Sequence, residues 1–104
     1  MKCKIFISYF LYVIIVYMKS TIVKIIDNIG IHARPASKIT NEATKYKSEI
    51  KFIVNGKVAN AKSLINLMAL GVKVNNKVEI QTIGSDEDQA LAAIVQVMKD
   101  TKLI

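Results

Sequence analysis

His32 is the only histidine in the chain, and it sits inside the run GIHARPAS, residues 30–37, two positions before Arg34 and three before the only proline, Pro35. Proline has a fixed φ and lacks an N–H, so it belongs in the first turn of a helix. That places His32 at or beside the N-cap. The backbone N–H groups of Ala33 and Arg34 then have no partner within the helix and are free to face an anion. Gly30 allows a tight approach of the chain just before the histidine. A neutral imidazole at such a point is a competent nucleophile. A phosphoryl group placed on it would be stabilised by the helix dipole, by the two N–H groups and by the Arg34 guanidinium. The chemistry that fits is acceptance and release of phosphate.

The phosphate cannot come from a bound nucleotide by any familiar route. The four glycines stand at 30, 56, 71 and 84, so no glycine-rich phosphate loop and no GXXG clamp is present. Donor and acceptor must then be other proteins, and no cofactor motif is found. One histidine and one cysteine, 29 positions apart, with no carboxylates gathered near His32, do not make a metal site. Nucleic-acid binding would call for a basic stripe interleaved with exposed aromatics. Most aromatics instead lie in the first 17 residues, and the later Tyr46 and Phe52 read as core. The net charge of +7 favours acidic partner surfaces. The lone Cys3 offers no internal disulfide, which fits a reducing cytoplasm.

The elements that must position His32 alternate along the chain. Residues 21–26, TIVKII, are short and β-branched, as expected of a largely buried strand. Ala36, Ile39, Ala43 and Tyr46 then fall at helical spacing from Ala33 to about Tyr46. In EIKFIV, residues 49–54, Ile50, Phe52 and Val54 share one face, and Asn55-Gly56 predicts a type I′ hairpin into KVAN, residues 57–60. Ser63 is the expected N-cap of a short apolar helix that stops at Gly71. KVEIQTI, residues 77–83, is a strand with Val78 and Ile80 on one face. The last helix opens at SDED, residues 85–88, read as a capping box, and buries Ala90, Leu91, Ile94, Val95 and Met98. Strand–helix–strand–strand–helix–strand–helix in that order predicts an α+β domain, an antiparallel sheet covered on one face by helices.

GIHARPAS, followed 31 residues after the histidine by a serine within AKSLINLMALGV, residues 61–72, resembles HPr, the histidine-containing phosphocarrier family of the bacterial phosphotransferase system. The resemblance covers residue 19 to about residue 100. It implies an open-faced β-sandwich of four antiparallel strands with three helices on one side. It further implies a non-enzymatic phosphocarrier: His32 receives phosphate on Nδ1 from phospho-enzyme I and passes it to a histidine of a IIA-type acceptor, with Arg34 as the phosphate partner. Ser63 takes the place of the regulatory serine that an HPr kinase/phosphorylase modifies in many bacteria. Ile29, just before the motif glycine, is closer to the nitrogen-branch paralogue, so a regulatory protein acting by phosphorylation-dependent binding is the alternative. AKSL and LGV are closer to the sugar branch. The helix after Ser63 is too apolar to bury on one face, so Leu64, Leu67 and Met68 are expected to leave some exposed surface for docking beside His32.

The opening stretch departs from this pattern. Residues 5–18 carry no charge and lie between lysines. They are shorter than the about 20 residues a bilayer-spanning helix needs, and the following YMKST lacks the small-residue pattern of a signal cleavage site. The chain therefore divides into an extension, residues 1–17, and a carrier domain, residues 18–104. The extension is a start assigned upstream of Met18, a membrane-associating or signal segment, or an ordinary strand or helix. Without it, loss of Lys2 and Lys4 lowers the net charge from +7 to +5.

Overall fold

The computed structural model describes residues 18–104, and the expectations for the extension lie outside these residues. Seven elements follow in the predicted order: β1 (Met18–Lys24), α1 (Ala33–Ala43), β2 (Glu49–Val54), β3 (Lys57–Asn60), α2 (Leu64–Ala69), β4 (Lys77–Ile83) and α3 (Glu87–Asp100). The four strands form one antiparallel sheet in the order β1-β4-β2-β3. The β2–β3 hairpin closes at Asn55 and Gly56 with φ of 50° and 80°, the doubly left-handed pair that a type I′ turn requires. The predicted open-faced, three-helix α+β architecture is the one observed.

The core lies between the sheet and the helices. Val78, Ile80 and Thr82 of β4 and Ile50, Phe52 and Val54 of β2 point to this side, against Ala36, Ile39 and Ala43 of α1 and Ala90, Ile94 and Met98 of α3. Leu91 and Val95 are only half-buried at the edge of that stripe, as is Tyr46. β1 is an edge strand and differs from expectation: Ile22 and Ile26 are exposed, and the buried residue is Ile25, just beyond the strand.

Two helix ends also differ from their sequence reading. α1 stops at Ala43 because the Lys45 and Tyr46 N–H groups bond three residues back, to Glu42 and Ala43, and the Thr44 hydroxyl bonds the Asn41 carbonyl. At the start of α3 no capping box forms. Asp86 is the N-cap, and its carboxylate turns away from the helix to accept the Lys47 and Ser48 N–H groups, each at 2.9 Å, together with the Ser48 hydroxyl. This joins the turn before β2 to the head of α3. The Ser48 hydroxyl, then the backbone N–H groups, hold the Asp86 carboxyl down at about 2.

Candidate functional site

The loop from β1 to α1 is built to present His32. Asp27 and Gly30 are the first and fourth residues of a turn: the Gly30 N–H bonds the Asp27 carbonyl at 3.1 Å, and the Ile29 N–H bonds the Asp27 carboxylate at 2.8 Å. Gly30 has a φ of +82°, and a Cβ there would collide with the Val72 carbonyl oxygen and lie 2.9 Å from the Lys73 Cα. Only glycine fits this close approach. It lets the Ile31 N–H reach the Val72 carbonyl at 3.2 Å, which clamps the residue before His32 to the segment leaving α2.

His32 is the N-cap of α1, with extended backbone (φ −118°, ψ −177°) and no side-chain capping bond. Its ring is therefore not spent on the helix, and it is half-exposed. Pro35 lies buried in the first turn, so the orphan donors ahead of it are the N–H groups of Ala33 and Arg34, both exposed residues. His32, Arg34, Pro35 and Lys38 line an open cleft of about 360 Å³ with Asp27 on one side and Asp100, Thr101 and Lys102, at the end of α3, on the other.

The charges in this cleft are unevenly engaged. Asp27 is occupied by the Ile29 N–H, and the Asp100 carboxylate accepts from the Gln96 amide at 2.9 Å. Arg34, Lys38 and Lys102 form no ion pair with a described carboxylate. Three uncommitted cations and a helix N-terminus thus surround a free imidazole, an arrangement suited to an incoming anion. Among the described residues, no group of three or more metal-ligating side chains occurs.

Of the residues lining this cleft, the sequence analysis names His32, Arg34 and Pro35 but not Asp27, Lys38 or residues 100–102. The Asp27–Gly30 spacing is a readable turn signal, and Lys38 follows Arg34 by one helical turn. Nothing local marks residues 100–102, which reach the cleft through the packing of α3 on α1.

Ser63 stands apart from the cleft at the N-cap of α2, as expected. Its hydroxyl accepts from the Asn66 backbone N–H at 3.3 Å and the Asn66 amide at 3.0 Å. The other end of α2 runs through Leu70 and Gly71 to Val72, the residue bonded to Ile31, so the helix is tied to the His32 loop. Leu64 and Met68 are exposed on α2, but Leu67 is not: it is fully buried in the core. In a six-residue helix one side chain per turn must anchor it to the domain, and Leu67 takes that place. Ile65 is the most exposed aliphatic residue of the helix, at 79%.

Fold and site define a small carrier-type domain: an open-faced sheet under three helices, with one histidine offered at a helix N-terminus. The family model for the PTS HPr component phosphorylation site matches residues 19–100. The chain is 49% identical over 80 residues to the phosphocarrier protein HPr of Mycoplasma capricolum, covering 77% of this chain and 90% of that protein. It is 48% identical over 88 residues to the HPr of Mycoplasma pneumoniae, covering 84% of this chain and 100% of that one. A solved histidine-containing phosphocarrier protein, described with the divergence of Mycoplasma from Gram-positive bacteria, superimposes with a TM-score of 0.82 at 45% identity, over 83% of this chain and 98% of that structure. The chain belongs to the HPr family, the phosphocarrier proteins of the phosphotransferase system.

Proposed function

We propose that His32 is the phosphoryl acceptor of this carrier, loaded by phospho-enzyme I and discharged to a histidine of a IIA-type acceptor protein. The observation that carries the reading is the uncommitted His32 ring at the head of α1, in one cleft with Arg34, Lys38 and Lys102. In each transfer the N–P bond on the donor histidine breaks as an N–P bond to His32 forms, and the reverse exchange unloads it. Bond types are conserved, so the step is nearly balanced and runs in either direction. The protein's part is to position the ring and neutralise charge on the moving phosphoryl oxygens. The Ala33 and Arg34 N–H groups and the Arg34 guanidinium take this role. No nucleotide, metal or other cofactor is needed.

Leu64 and Met68, with Leu67 now assigned to the core, form the docking surface for these partners on α2. Net positive charge speeds encounter with their acidic surfaces. Ser63 is the candidate regulatory serine for an HPr kinase/phosphorylase: phosphate there would face the Asn66 N–H groups at the helix head and add about −1.5 to −2 charges where acidic partners approach. The carrier works in the cytoplasm, and residues 18–104 form its domain.

The test is incubation with phosphoenolpyruvate and enzyme I, followed by measurement of acid-labile phosphate. The parent chain takes up phosphate and His32→Ala takes up none, while keeping its circular dichroism spectrum. Labelling of the folded His32→Ala protein refutes the assignment.

A further inference from the structure

Asn55, Asn75 and Lys102 are the only described residues other than glycine with positive φ, at 50°, 71° and 62°. Asparagine tolerates this region because its short polar side chain bonds locally, which a lysine cannot do. Lys102 is the exception, and it lies in the His32 cleft.

The end of α3 accounts for the conformation but not for the residue. The Lys102 N–H bonds the Lys99 carbonyl at 3.0 Å and the Leu103 N–H bonds the Met98 carbonyl at 2.9 Å. These are the paired bonds of a Schellman motif, whose left-handed position is usually glycine. Leu103, next in the motif, is fully buried, and its carbonyl accepts from the Ile26 N–H at 2.7 Å. On the other side the Thr101 hydroxyl donates to the Val97 carbonyl at 2.8 Å. The backbone around Lys102 is thus fixed both to the helix before it and to the chain that leads from β1 into the His32 loop. A glycine would keep every one of these bonds at lower conformational cost.

What distinguishes lysine here is its side chain. The negative end of the helix already has Lys99 in its last turn. Lys102 is exposed and forms no ion pair with a described carboxylate, and the adjacent Asp100 accepts from the Gln96 amide instead. It lines the cleft from the α3 side, while His32 and Arg34 line it from α1. Lys38 shares the cleft but stands within α1, where lysine is an ordinary helix former. A phosphoryl group on His32 would carry its negative charge on three oxygens, and donors from α1 alone approach it from one element. A cation on an already fixed backbone at the facing wall needs little reorganisation to meet the rest of that charge.

Resting on His32 as the phosphoryl acceptor, we propose that Lys102 is a second phosphate-contacting side chain of the carrier, its ammonium meeting the phosphoryl oxygens on His32 from the end of α3. The bonds broken and made are those of the transfer itself. Lys102 exchanges no proton and supplies charge alone.

Lys102→Gly and Lys102→Arg are compared with the parent 104-residue chain in urea unfolding and in phosphate uptake, both from phospho-enzyme I and from phosphoramidate, a small donor that needs no protein docking. Lys102→Gly is expected to unfold about 0.3–1 M later in urea. It should nonetheless load about threefold to tenfold more slowly from both donors, with the gap narrowing at high salt. Lys102→Arg should load at close to the parent rate. A chain that is more stable yet slower has not lost its rate through unfolding. Earlier unfolding of Lys102→Gly makes the lysine a support of the turn, and slowing with enzyme I alone makes it a docking residue. Loading at the parent rate, or slowing that neither arginine nor salt alters, removes its charge from the site. Each of these results overturns the proposal while His32 remains the acceptor, whereas a parent chain that takes up phosphate from neither donor overturns the acceptor reading and this inference with it.

Discussion

Gly30→Ala is the substitution that tests most directly how the site is built. At φ +82° an L-residue costs about 1–2 kcal/mol. The new Cβ must also displace the Val72 carbonyl, putting at risk the Ile31–Val72 hydrogen bond, worth about 0.5–1.5 kcal/mol. The total is about 1.5–3.5 kcal/mol. Gly56 provides the internal control: its φ is +80°, almost the same, yet a Cβ there meets nothing within 4 Å. Gly56→Ala therefore carries only the conformational cost, about 1–2 kcal/mol. The difference, about 1 kcal/mol, is the close approach alone. With a urea slope of about 1–2 kcal/mol/M, Gly30→Ala should unfold about 0.5–1 M earlier than Gly56→Ala. Because the 72–73 backbone must shift, His32 moves with Ile31, so Gly30→Ala also slows phosphate uptake from enzyme I while Gly56→Ala transfers at the parent rate. Equal unfolding midpoints, or normal transfer by Gly30→Ala, would refute the claim that this contact positions the histidine.

Arg34→Ala should slow phosphate uptake about a hundredfold without abolishing it, read by rapid quench with unchanged thermal melting; an unaltered rate removes Arg34 from the site. Ser63→Ala loses the α2 cap and about 1 kcal/mol by urea unfolding, whereas Ser63→Asp keeps a capping acceptor but slows uptake from enzyme I. High salt partly restores the Ser63→Asp rate, since exposed charges are screened beyond about 8–10 Å; a rate insensitive to both the charge and the salt excludes electrostatic control. Asp86 has its folded pKa depressed from 3.8 to about 2, so the stability it contributes is complete above its unfolded value and is lost as pH falls through the folded one. Asp86→Asn should thus be less stable than the parent at neutral pH, with the gap closing between about pH 4 and pH 2 in acid unfolding; a gap that stays constant with pH contradicts the assignment. A chain begun at Met18 is expected to fold and to accept phosphate at the parent rate, and failure of either moves the domain boundary into the extension.

Local signals carried most of the architecture. The hairpin was readable because Asn55-Gly56 can adopt two positive φ values without help from elsewhere, and the head of α1 because Pro35 limits where a helix can begin. The errors fall where distant partners decide. Asp86 was free to cap its own helix until the Lys47 and Ser48 N–H groups, 39 and 38 positions away, claimed its carboxylate. Leu67 cannot be told from Leu64 or Met68 by hydropathy, and only the direction from which the core meets α2 separates them. The same limit applied to the site: His32 and Arg34 were legible because one helix start holds both, while Lys102 depends on how α3 lies against α1.

The strand order places the first strand beside the last, and that bears on how the protein is made. Among the described residues β1 pairs only with β4, the Ile25 N–H bonds the Asn76 carbonyl, and the Ile26 N–H bonds the Leu103 carbonyl at 2.7 Å. The loop bearing His32 is thus anchored by segments synthesised long after it, and Ile26 waits 77 positions for Leu103. Contacts this far apart in sequence form late and slowly. A nascent chain on the ribosome has its β2–β3 hairpin and α2 available early, but it cannot hold the histidine in place. On the function proposed for His32, a chain truncated before Leu103 should take up phosphate more slowly than the parent, because the Ile26 anchor is missing.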